Sequence, residues 1–147
     1  MRSAFIFLTI FLVNACGGGS NNNPSDANII GTWVVPCTAE EFAFVVRTLV
    51  VNAELWSSTT EGFSDANCQN SSIVSPSGGT YVIGAYVTSS EGVNVRDITF
   101  NMLEADGSIR YSDEGVYHIE NDVLYFGTYD ETTGVPALDF DRAWEKQ

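Results

Sequence analysis

Basic residues are scarce in this chain of 147 residues, where six lysines and arginines stand against 19 aspartates and glutamates for a net charge of −13. Arg47, Arg96, Arg110, Arg142 and Lys146 are scattered without a cluster, so nucleic acid and anionic lipid surfaces would be repelled and no nucleic-acid partner is expected. Histidine is scarcer still. His118 is the only one, it lies far in sequence from every cysteine, and no close pair of zinc ligands results. No Gly-x-Ser-x-Gly elbow or phosphate-cradling glycine loop occurs. Acid pairs such as Asp113/Glu114 and Asp139/Asp141 have nothing to push one pKa above its neighbour's. Asp65-Ala66-Asn67 and Asp130 to Gly134 offer hard oxygen ligands but lack the spacing of a calcium loop. The chain is therefore read as a non-enzyme, with no catalytic residue, metal or cofactor. Long apolar runs are also missing: the longest, Ala4 to Val13, is short of the roughly 20 residues that span a bilayer.

That short run nevertheless carries information. One positive charge at Arg2, the apolar stretch and a close in small residues make the layout of a secretory signal over residues 1–15. Val13-Asn14-Ala15-Cys16 resembles the lipobox of bacterial lipoproteins. The resemblance implies that Cys16 becomes the acylated N-terminus and holds the protein to a membrane through its lipid. Gly17 follows the cysteine in place of the aspartate that signals inner-membrane retention in that family, so the cell envelope, with the outer membrane favoured, is the expected location. Residues 16–27, rich in Gly, Ser and Asn, read as a flexible tether. Three cysteines are odd in number; with Cys16 acylated, Cys37 and Cys68 remain as a disulfide pair in an oxidising compartment.

Residues 28–147 suffice for one domain with a modest core. Val- and aromatic-rich segments recur about every ten residues between turn signals, giving strands at 31–35, 42–51, 53–63, 80–88, 93–103, 109–119, 123–129 and 138–144. A single helical turn is the alternative for 39–44, and a terminal helix for 138–146. The polar stretch 69–79, with Pro76, reads as a long connection, and Asp106-Gly107 as a two-residue hairpin turn with positive φ at both positions. The expected class is all-β: an antiparallel up-and-down meander, most simply an eight-stranded barrel, with a β-sandwich or open sheet as the alternative.

Gly31-Thr32-Trp33 resembles the Gly-x-Trp motif on the first strand of lipocalins and other calycins. The resemblance implies that Trp33 plugs one end of a barrel under a basic residue of the last strand, for which Arg142 is the matching candidate. It also implies a small apolar ligand, held between residues such as Phe44, Leu55, Tyr81, Tyr86, Phe100, Tyr117 and Tyr125. The competing reading is a structural or protein-interaction lipoprotein of the envelope with a filled core and no ligand. The chain as a whole is similar to small uncharacterised bacterial lipoproteins that join a lipobox to a Gly-x-Trp domain and two cysteines.

Overall fold

The computed structural model describes residues 28–147; the signal peptide, Cys16 and the tether expected at residues 1–27 lie outside the described residues. Nine strands follow one another without a helix: β1 (Gly31–Ala39), β2 (Phe44–Val51), β3 (Leu55–Phe63), β4 (Ser71–Thr88), β5 (Asn94–Leu103), β6 (Ile109–Glu120), β7 (Val123–Tyr129), β8 (Pro136–Leu138) and β9 (Trp144–Lys146). Neighbours from β1 to β7 pair antiparallel, and β9 lies between β7 and β1. Eight strands thus close into an up-and-down barrel, with β8 added beside β7. Closure leaves no sandwich or open sheet and removes the exposed edges on which chains aggregate.

Local sequence explains most of this. Strands β1, β2, β4, β5, β6 and β7 place Val35, Leu49, Val51, Ile83, Ile98, Tyr117 and Leu124 in one buried cluster around Trp33, in the period-two pattern of strands with one wet face. Asn121 and Asp122, with φ of 53° and 61°, form the tight two-residue turn between β6 and β7. At Asp106-Gly107, only the glycine has positive φ, 84°. That loop is longer than expected, with Gly107 N–H donating to Glu104 O and Glu104 N–H to Ser108 O. The Asp106 carboxylate secures it by accepting the Ser108 N–H.

Two expectations are corrected, and the helical alternative at 39–44 does not occur. The stretch 69–79 is mostly strand: β4 runs from Ser71 through Thr88, and its first part pairs along the whole of β3. No alternation announces it, because Ser71 to Pro76 are all exposed. Pro76 is tolerated there because β4 has β3 on one side only until Gly79, where pairing with β5 begins, and an unpaired edge needs no N–H. The segment 138–144 is two short strands joined by a turn in which Asp141 N–H donates to the Asp139 carboxylate, neither one strand nor a helix. Residues 39–44 hold a bend closed by Glu40 N–H donating to Ala43 O.

The alternation of strands defines two ends. The β2–β3, β4–β5 and β6–β7 turns and the start of β1 lie at one end; the β1–β2, β3–β4 and β5–β6 turns and the β8–β9 linker lie at the other. Cys37 and Cys68 form the expected disulfide at the second end, tying the end of β1 to the β3–β4 loop.

Candidate functional site

The first end is closed. Trp33 and Ile29 are both fully buried, and the Trp33 indole N–H donates to Ile29 O at 2.8 Å. Burying an indole removes about 150–250 Å² from water, roughly 4–6 kcal/mol at 25 cal/mol per Å². The cation over this ring is Lys146, its Nζ 5.3 Å from the ring centroid, because Trp33 and Lys146 are register partners on β1 and β9. Arg142 does not hold that place. It sits in the linker before β9, with a guanidinium nitrogen 3.9 Å from Glu40. The expectation had the right strand end and the wrong basic residue, since the turn at 139–143 takes Arg142 off the sheet.

Towards the second end the barrel is not filled. A cavity of about 590 Å³ lies between β2, β3, β5, β6, β7, β8 and β9. Its apolar wall is an arc of four rings, Trp56, Phe100, Phe126 and Trp144, with successive centroids 5.1, 5.7 and 5.9 Å apart in edge-to-face geometry. Such pairs contribute about 0.5–1.5 kcal/mol each beyond their area, so the arc is a rigid surface. Trp56 is fixed further by its indole N–H donating to Thr80 O. Leu49 and Ile98 form the base, and Met102, Ser58, Tyr111, Asp113, Asp139 and Arg142 line the upper part.

β9 is only three residues long, and its register with β1 covers Trp33 and Val34 alone, so the upper part of β1 has no partner on that side. Charges occupy the gap: Arg47 holds Glu40 through two hydrogen bonds of 2.5 and 3.0 Å, and Arg142 approaches the same carboxylate. The Arg47 hydrogen bond, and the positive charges of Arg47 and Arg142, hold the Glu40 carboxyl below its ordinary range despite partial desolvation.

Of the residues expected to line a pocket, Phe100 does so. The other six are not among the lining residues. Tyr117 is buried in the core cluster beneath, Tyr81 donates its hydroxyl to Asn52 O near the closed end, and Leu55 is exposed. Tyr86 is exposed under the Arg96 guanidinium, 4.6 Å from its ring centroid. Tyr125 lies against Phe140 and packs with a second cluster of Val95, Val116 and Leu138, and Phe44 opposes Phe63 at the start of β2. The cause is strand phase. Trp56, Phe100 and Phe126 face inward where Leu55 and Tyr125 do not, and an irregularity between Ile83 and Tyr86 shifts the phase of β4. Alternation of Leu124 and Phe126 against Tyr125 was the available signal for Phe126; nothing local marks Trp144, which depends on closure.

His118 pairs with Tyr125 in register, and its Nδ1 lies 3.2 Å from Asn94 O, away from the cavity. The two loops with hard oxygen ligands use their carboxylates on themselves: Asp65 accepts the N–H of Asn67, Gln69 and Asn70, and Asp130 those of Thr132 and Thr133. These bonds, led at Asp65 by the Asn70 N–H and at Asp130 by the Thr133 N–H, lower both carboxyl pKa values.

The fold and the site together define a closed antiparallel β-barrel with one sealed end and an aromatic-walled cavity at the other. No family model, curated protein or solved structure matches this chain.

Proposed function

We propose that this chain is a lipid-anchored lipoprotein of the cell envelope, with the outer membrane favoured, whose non-catalytic, lipocalin-like barrel binds a small apolar ligand. The observation that carries the reading is the cavity of about 590 Å³ walled by Trp56, Phe100, Phe126 and Trp144. Its volume falls within the range of small-molecule sites, about 300–1,000 Å³, and mixing a mostly apolar wall with a few polar groups is their usual character. The chain enters the barrel at the closed end, where β1 begins, so a tether attached there leaves the mouth of the cavity clear. The other reading, an interaction lipoprotein of the envelope, draws on Phe42, Ile73 and Val74, which are 90%, 65% and 55% exposed and cluster by topology at the cavity end.

Two measurements on the full chain test the proposal. Labelled palmitate incorporates into the wild type in its bacterial host and not into Cys16→Ala; label in both overturns the anchor. Phenylnaphthylamine, a neutral apolar fluorophore, brightens on the purified protein, and Ser58→Trp, which fills the cavity from its wall, abolishes the signal. Failure to brighten with the wild type overturns ligand binding and leaves the interaction reading.

A further inference from the structure

Resting on the reading of the cavity as a ligand site, we propose that its ligand is a small amphipathic cation: a protonated or quaternary amine on an apolar body the size of one or two rings. The charged residues lining the cavity are Asp113, Glu114, Asp139 and Arg142; Glu114 alternates with Asp113 and turns its carboxylate to the outer face toward Tyr129, which leaves Asp113 and Asp139 against one guanidinium. Arg142 lies 3.9 Å from Glu40, an ion pair without a hydrogen bond. A carboxylate ligand would meet the like charges of Asp113 and Asp139 at the upper wall, against a single guanidinium drawn toward Glu40, which costs affinity for anions.

Asp113 is placed to act as the counter-ion. It is the register partner of Phe100 on the adjacent strand, and directly opposed residues project from the same face with Cβ atoms about 4.5–5.5 Å apart. The carboxylate therefore stands beside the second ring of the arc, with Tyr111 two positions nearer the rim on the same strand face. Asp113 has no ion-pair partner among the described residues, so its charge is available. Aromatic rings reinforce the choice, since their faces attract cations and not anions. The apolar body then rests on the four rings while the ammonium group stays at the upper wall, partly hydrated, next to Asp113. A net charge of −13 also raises the local concentration of cations around the mouth.

Three probes with one apolar body separate the terms: naphthylmethylamine, naphthalenemethanol and naphthoate, titrated into the purified full chain at neutral pH and low salt, with quenching of tryptophan fluorescence as the readout. The amine is expected to bind about two- to fivefold tighter than the alcohol, the scale of one solvent-accessible ion pair, and naphthoate weakest. Asp113→Asn, an exposed and isosteric change, should remove the preference for the amine over the alcohol. Naphthoate binding as tightly as the amine, or an amine preference that survives Asp113→Asn, overturns the charge selectivity while the cavity reading stands. Absence of quenching by all three overturns the cavity reading and this inference with it.

Discussion

Removing the disulfide should cost this barrel a large but survivable part of its stability. Cys37 and Cys68 are 31 positions apart, and closing a loop of that length in the unfolded chain removes entropy equivalent to roughly 3.7 kcal/mol at 25 °C. Little packing is lost in addition, because Cys37 is exposed and Cys68 only half-buried. The suitable variant is Cys37→Ala with Cys68→Ala: alanine keeps the β-carbon at position 68, where φ is 50°, so backbone strain there is the same before and after. A domain of the size of residues 28–147 unfolds with an entropy of about 0.25 kcal/mol/K near its midpoint, so the loss corresponds to a fall in Tm of roughly 15 °C. Thermal melts followed by far-ultraviolet circular dichroism, oxidised wild type against the double variant, measure it. Small domains hold about 5–15 kcal/mol in total, so the variant should still fold at room temperature. A fall of less than about 5 °C would refute the loop-entropy argument, showing that the segment from β1 to the β3–β4 loop is already restricted when the chain is unfolded.

Two other outcomes follow from single positions. A β-carbon at Gly79 would lie 1.8 Å from Asn101 O and 2.9 Å from its carbonyl carbon, backbone atoms that cannot step aside, so Gly79→Ala should lower the urea midpoint by the equivalent of about 3 kcal/mol or prevent folding; a loss under about 1 kcal/mol contradicts the close approach of β4 to β5. Glu91 accepts the Ser90 hydroxyl at 2.6 Å, and this bond, with Ser89 and the N–H of Leu138, lowers its pKa from 4.5 to about 2. A carboxyl with a depressed folded pKa adds stability above its unfolded value and loses it as pH falls through the folded one. The wild type should therefore lose stability between pH 4.5 and about 2, and Glu91→Gln should flatten part of that slope in denaturation series across the range; an unchanged slope removes Glu91 from the account.

Much of the architecture was readable residue by residue. Period-two alternation of apolar side chains and regular turn residues pointed to an antiparallel β meander, and the resemblance of Gly31-Thr32-Trp33 to the Gly-x-Trp motif implied where it would be sealed. The pairing of Cys37 with Cys68 followed once the lipobox resemblance set Cys16 aside. These are local or compositional properties, and a strand with one wet face has to display them. Tertiary structure alone decided the rest. Ser71 to Pro76 became strand only because β3 supplied partners, so no alternation was needed to bury either face. Lys146 displaced Arg142 over Trp33 because the Asp139 turn broke the last strand, setting a register that no propensity contains. The cavity wall depended on which parity of each strand faced inward, and a one-residue shift in phase exchanges Tyr125 for Phe126 and Leu55 for Trp56. Only closure of β9 between β7 and β1 brings Trp144 against Phe126, completing an aromatic arc whose members are spread across some 90 residues of chain.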